Sequence, residues 1–516
     1  MDINLLELIK KTKLQYKLTF LSTIIFGIIS QGMGLFNKFS WHDDIGLFGV
    51  GPTYTQGRWM RGLLSEFEVK IFGDGHYSLP LINGIFSILC IAIAACIIVG
   101  LLEINSQILC ISIGGVMASF PVVTGLFGYM FTMPYFMLGL LAGVFGTFLV
   151  CKWKKWYVLI FGIILLGCSV GAYQAFIPVM LSVFLFWLIK LTYEAKPEEI
   201  ASLLKKVVII GLSCGAFILF YFLMTNYFLQ KNELQLTSYQ GIDSMGRTSL
   251  YGYIRRVFGA YKEFFHPATN VSYNMYPGGI RKVYTIFVML FCLYALMLLL
   301  QVYKKSKIHA ILMAVLLSSV PFAVNFIFIM VDRRTVHSLM VYGQVMFFII
   351  LAWLMENVHV RREKIRKIIN KINLIFAGLL FFTVIMYCRF DNICYLKAVF
   401  AQEEAISYFT TLITRIKSAD GYADELPVVF VNARHINDRS LKDIKQLNYV
   451  NLLPYSGATD YVNNYRWIRF MQYWCGYYPS IVDESAYETI PEVEEMPSYP
   501  DDGSIKIIED TVVVKF

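Results

Sequence analysis

Residues 80–102 read PLINGIFSILCIAIAACIIVGLL, 23 positions without one charged side chain. About 20 mainly apolar residues suffice for a helix that crosses the hydrocarbon core of a bilayer, so this run reads as a spanning helix. Working outward in both directions gives eleven such candidates: about 18–36, 80–102, 107–127, 134–151, 156–173, 175–193, 207–229, 283–302, 309–330, 339–356 and 372–387. The whole chain agrees with that reading. Of its 516 residues 57% are hydrophobic and only 16% charged, with a mean hydropathy of +0.58, well away from soluble chains with about 25% charged residues.

Charge divides the chain in two. Residues 388–516 carry 12 basic and 19 acidic side chains, a net of −7, whereas residues 1–387 carry 33 basic and 17 acidic, a net of +16. The basic excess falls in short clusters between apolar runs: KKTK, CKWKKW, YKKSK and RREKIRKIINK. Lys and Arg in that pattern mark the cytoplasmic loops of a cell (inner or plasma) membrane protein and argue against nucleic acid as a partner. With the N-terminus inside, five of the six cytoplasmic connections are basic, and an odd number of spans puts the C-terminus outside. The first apolar run is too long for a cleaved leader and reads as a retained helix.

The expected fold is therefore mainly α: a polytopic transmembrane domain over 1–387, followed by a small extracytoplasmic α/β or α+β soluble domain over 388–516. Within that tail an amphipathic helix is expected over 395–417, a buried strand in LPVVFVN, and two strands joined by a tight turn in SIKIIEDTVVVKF. Two outer connections, 37–79 and 230–282, are long enough to hold functional structure of their own. The first contains WMRGLLSEFEVKIFG, suited to a short helix lying along the interface. Ten scattered cysteines form no CxxC and no zinc spacing, and read as small packing residues.

The polar residues at span ends carry the chemistry. Asp43 and Asp44 follow the first apolar run; on a helix they point about 100° apart and cannot share one proton. One could serve as general base with the other binding substrate or a metal, and the plain alternative is a solvated loop acid or cap. Asp44 is favoured as base because it lies deeper in the loop. Arg58, Arg247, Arg255, Arg256, Arg333 and Arg334 all fall opposite the basic loops, and a guanidinium fork suits phosphate oxygens. Tyr173 and Gln174, in GAYQAF, suit a sugar, although Tyr173 also fits an aromatic belt. His42, His76, His266 and His337 match no metal motif and read as incidental.

The order DD, then GRW (57–59) about fourteen residues on, then GAYQ (171–174) at a membrane edge, resembles the bacterial serotype-converting glucosyltransferase family, multi-span enzymes similar to the GT-C class. The resemblance extends to the NICYLKA and PVVFV segments of the tail. It implies a polyprenyl-phosphate-hexose donor, a cell-surface polysaccharide acceptor, and transfer of glucose or a related hexose at the outer face. Carried over by position, Asp43 or Asp44 stands for the first-loop catalytic acid, Arg58 and Trp59 for the GRW element, and Tyr173 and Gln174 for the YQ element. No cofactor is implied, and a divalent metal is left open. Two other readings stay in view: a polysaccharide polymerase or ligase, and a transporter or flippase for a lipid-linked sugar.

Overall fold

The computed structural model describes residues 10–39, 42–46, 53–73, 77–241, 248–268, 274–358, 363–433, 444–447, 450 and 467–516. The chain forms two compact units: Met1–Lys38 with Phe48–Asn392, and Phe39–Leu47 with Ile393–Phe516.

Among its described residues the first unit holds helices and connections and no named strand. Among all the described residues, nine helices are long and apolar enough to cross a membrane: Leu14–Phe36, Pro80–Leu102, Gln107–Phe127, Met133–Lys152, Gln174–Glu194, Pro197–Lys231, Gly279–Lys305, Lys307–Val324 and Arg366–Lys417. Trp156–Ala172 is apolar but shorter, and packs along Met133–Lys152. Several helices carry Pro in the first turn, where its missing N–H costs nothing: Pro80, Pro134 and Pro178, and Pro121 where the span Gln107–Phe127 breaks and restarts as Pro121–Phe127.

Two expected spans come out differently. The run 339–356 opens with two short 3-10 turns, Ser338–Met340 and Tyr342–Val345, and only then becomes the 12-residue helix Met346–Asn357. At 1.5 Å per residue that helix reaches about 18 Å, short of the roughly 30 Å core. Residues Met346 to Leu354 are all buried, so its all-round apolarity marks a core helix surrounded by protein. The expected break after 387 is also absent. A single helix runs Glu363–Lys417, because CRFDNIC (388–394) contains neither Gly nor Pro and buries Cys388, Asp391 and Cys394 at helical spacing.

The helix expected in the first outer loop forms as Trp59–Phe72. The connection 230–282 holds a helix that was not anticipated, Leu250–Phe265, capped by Ser249 Oγ accepting from the Gly252 N–H at 3.1 Å.

The second unit contains the three strands expected from the tail: β1 (Val428–Val431), β2 (Ile505–Ile508) and β3 (Thr511–Lys515). Their order is β1-β3-β2, with β1 parallel to β3 (Val428 beside Val512) and β2 antiparallel to it (Ile508 beside Thr511). Glu509 and Asp510 make the tight turn with φ of 49° and 55°, both left-handed as a two-residue hairpin loop requires. Val429, Val431, Ile508 and Val513 pack with Val493 and Met496 as one core. On the sheet, Phe430 meets the Trp467 ring edge-on at 4.7 Å, seating the helix Trp467–Cys475.

Candidate functional site

The GRW and GAYQ elements, 112 residues apart in the chain at their closest ends, interlock in the first unit. The Trp156–Ala172 helix ends in an extended Tyr173, and Gln174–Phe176 turns the chain into the helix Ile177–Glu194. Gln174 Nε2 donates to the Gln56 carbonyl at 2.8 Å and to the Tyr221 hydroxyl at 3.0 Å. That approach needs glycine at position 57: its φ is +65°, and a Cβ there would lie 2.4 Å from the Tyr221 hydroxyl. Reciprocally, a Cβ on Gly171 would lie 2.5 Å from the Trp59 indole. Trp59 is 1% exposed, stacked on Phe228 at 5.9 Å and edge-on to Phe220 at 6.0 Å. Its ring is a packing element that fixes the start of Trp59–Phe72; no face of it is open to a sugar.

Arg58 sits at the head of that helix over an aromatic platform. Its guanidinium lies 5.3 Å from the Tyr173 ring centroid, 5.8 Å from Phe136 and 6.0 Å from Tyr239. Tyr173 stacks on Phe136 at 4.5 Å, and its hydroxyl donates to the Leu339 carbonyl at 3.1 Å, tying the platform to the turn Ser338–Met340. Such cation–aromatic contacts contribute about 0.5–2 kcal/mol and hold the charge without neutralising it. Arg61, beside it, is buried, lies 5.7 Å from the Phe136 centroid and donates to Thr132 Oγ1 at 3.3 Å.

Among the described residues of this region, Arg58 Nε, Trp59 Nε1 and His337 Nδ1 are buried without a hydrogen-bond partner. Burial, reinforced by the Arg58 charge, lowers the His337 pKa to about 4. Its ring is therefore neutral at pH 7, with a hydrogen available for one nitrogen. Unpartnered polar nitrogens cost roughly 1–3 kcal/mol each, so their persistence beside an un-neutralised guanidinium suits an anionic oxygen from a ligand. Sequence reading set His337 aside because no motif or periodicity links it to Arg58.

The other expected residues lie elsewhere. Arg333 pairs with the buried Glu263, and Arg256 Nη1 donates to the carbonyls of Ile329 (3.2 Å) and Met330 (3.4 Å). Arg334 is 93% exposed, with Asp332 at 3.6 Å, and Arg255 is exposed on Leu250–Phe265. Arg247 and His76 lie outside the described residues. Asp43 and Asp44 belong to the second unit, in the 3-10 turn His42–Gly46, which packs against Trp467–Cys475. Asp44 is 1% exposed there, and Asp43 is partly buried. Among the described residues no three His, Cys, Asp or Glu side chains gather as a metal site.

Long apolar helices in this number define a multi-pass membrane protein, and the interlocked GRW–GAYQ platform gives it a charged, aromatic-lined site. Residues 32–349 match the family described as Glucosyl transferase GtrII, and the chain belongs to that family of glucosyltransferases. The match takes in Asp43, Asp44, Arg58, Trp59, Tyr173, Gln174 and His337 and stops before the tail, so the NICYLKA and PVVFV segments are not part of it. No curated protein and no solved structure matches the chain.

Proposed function

We propose that this glucosyltransferase moves glucose, or a related hexose, from a polyprenyl-phosphate carrier to a cell-surface polysaccharide at the outer face of the membrane. The observation that carries the donor assignment is Arg58: a guanidinium held by three aromatic rings, unpaired at Nε, next to a neutral His337 with an unpaired Nδ1. That pair offers hydrogen bonds and positive charge to a phosphate monoanion, with no carboxylate ion-paired to Arg58 among the described residues. The basic connections favour a cytoplasmic N-terminus, and the odd span count favours an extracytoplasmic C-terminal unit.

The reaction is a single displacement. A first-loop carboxylate takes the proton from an acceptor hydroxyl as that oxygen attacks C1 of the hexose. The C1–O bond to phosphate breaks, and Arg58 stabilises the charge gathering on the departing polyprenyl phosphate. Of the two acids, exposure favours Asp43 as the base, since an enclosed Asp44 is better suited to holding the 3-10 turn. Arg333, already paired with Glu263, is the weaker donor contact.

Synthetic polyprenyl-phosphate-glucose and purified protein in lipid test this directly. Asp43→Asn should abolish transfer with near-normal donor binding, while Arg58→Ala should raise the donor KM more than the acceptor KM. Full transfer by both Asp43→Asn and Asp44→Asn removes the base assignment. Equal effects of Arg58→Ala on both KM values, or none, remove the phosphate role.

A further inference from the structure

The helix Leu250–Phe265 is not part of the Arg58 platform, and one whole side of it is uncovered. At about 100° per residue, Leu250, Ile254, Phe265, Phe258 and Tyr251 fall in that order within an arc of about 100°. All five are exposed, Tyr251 at 76% and Phe258 at 71%. The next positions round the helix belong to Lys262 and Arg255, both also exposed. Ala260, Glu263 and Phe264 lie on the opposite side and are buried. The bonds of the packed side fix where the helix sits. The Tyr284 hydroxyl donates to the Phe264 carbonyl at 2.8 Å, the Tyr261 hydroxyl to the Ser318 carbonyl at 2.5 Å, and Asn325 Nδ2 to the Ala260 carbonyl at 3.1 Å. Tyr284 stands five residues after the start of the span Gly279–Lys305, and Ser318 six before the end of Lys307–Val324, so each is about 7–9 Å inside its span. Only Ser306 separates those two spans, which pack side by side, so the two ends share one face of the membrane. Further along them large apolar side chains stand exposed: Ile286 and Met289 on one, Ile311 and Val315 on the other. The helix thus borders a surface that meets lipid, at the depth of about 5–10 Å where amphipathic helices rest in a bilayer.

We propose that Leu250–Phe265 is a membrane-interface anchor, whose apolar side seats among the acyl chains at the edge of the bilayer while Lys262 and Arg255 reach lipid phosphates. Five large side chains in one continuous patch favour lipid over water, and a cation on a long stem beside them can keep its charge among the headgroups. Lipid, headgroup and protein then occupy three successive sides of one helix. The protein side holds Arg333 through Glu263 and the carbonyls of Ile329 and Met330 through Arg256. The anchor therefore also fixes the start of the segment that leads to His337.

The test places a nitroxide, through a new cysteine, at one position at a time in the full chain in lipid nanodiscs. The parent carries Cys292→Ser to remove an exposed thiol, and the signal of its other cysteines is subtracted. Collisions with oxygen, which concentrates in acyl chains, are compared with collisions with a water-soluble nickel chelate. In Ile254→Cys and Phe258→Cys the oxygen collisions should exceed the nickel collisions several-fold, and in Arg255→Cys the order should reverse. The first two positions are read independently, so a variant that misfolds leaves the other to decide. Nickel exceeding oxygen at Ile254→Cys and Phe258→Cys overturns the proposal and leaves that side of the helix in water. Low access to both probes there also overturns it, and assigns the side to contact with a second copy of the chain. One ratio shared by all three positions removes the sidedness on which the anchor depends.

Discussion

The helix Ile177–Glu194 has a polar cluster near each end, about 27 Å apart at 1.5 Å per residue. The two clusters complete their interactions differently. At the C-terminal end, buried Lys190 sits 2.8 Å from Glu103 and 3.7 Å from Glu194. Just after Glu103, the Asn105 N–H at 2.9 Å and the Ser106 N–H at 3.2 Å donate to Glu356, which covers donors at the start of Gln107–Ser119. These charges find their partners within the protein. At the N-terminal end, Tyr173 and Gln174 bring Arg58 onto its aromatic platform, and Arg58 Nε and His337 Nδ1 are left without partners. Self-completed charges act on stability, and incomplete ones act on a ligand. Variants at the two ends should therefore separate along those two readouts.

The largest effect belongs to Arg58. Removing one charge-stabilising donor at a reacting centre typically costs about 100- to 1,000-fold in rate, so Arg58→Ala should lower kcat/KM by that order with little change in Tm. Arg58→Lys should stay impaired, because an ammonium lacks the planar fork. A large fall in Tm with normal turnover per folded molecule would move Arg58 into the self-completed class. The counterpart is Lys190→Met, which leaves Glu103 and Glu194 near each other without their cation. Glu103 is largely exposed, so solvent screening holds the expected loss to about 1–2 kcal/mol of stability, read by thermal unfolding, with transfer per folded molecule unchanged.

Acidification distinguishes the ends by window. His337 has its folded pKa lowered to about 4, from 6.5, first by burial and second by Arg58. The unfolded chain then binds more protons between those values, so stability falls as pH drops from 6.5 towards about 4. His337→Gln should flatten that part of the profile. Glu103 is shifted the other way, held below its ordinary 4.5 mainly by the hydrogen bond from Lys190. Its contribution is present above 4.5 and is lost only as pH falls below that value. Lys190→Met should flatten this lower part alone; a single window abolished by either variant would couple the two ends.

The sequence and the structure meet where local pattern decides the outcome. Uninterrupted apolar runs such as 80–102 announced their helices, and alternation around ED at 509–510 announced the β2–β3 hairpin. Residues Gly57, Arg58, Trp59, Tyr173 and Gln174 were visible as short motifs. Their interlock was not, because two glycines admitting an indole and a tyrosine hydroxyl leave no periodic trace. Met346–Asn357 was too apolar to be told from a span without knowing that protein surrounds it. His337 needed its neighbour Arg58, 279 residues earlier in the chain, before its pKa carried meaning. Phe39–Leu47 joined the second unit through tertiary packing that nothing in SWHDDIGLFG foretold.

The smallest effect expected is at Glu356. Its carboxylate, accepting from Asn105 and Ser106, places negative charge at the N-terminus of Gln107–Ser119, a placement that contributes about 0.3–1 kcal/mol. Glu356→Gln keeps an amide oxygen for one of those N–H groups and removes the charge, so Tm should fall slightly and the fall should shrink in high salt. Transfer per folded molecule should not change. Glu356→Ala, which removes the acceptor as well, should lower Tm further by exposing two backbone donors to incomplete solvation. A drop in donor turnover with Tm intact, in either variant, would mean that the completed end communicates with the platform through the Ile177–Glu194 helix, and the division between the two ends would fail at its weakest point.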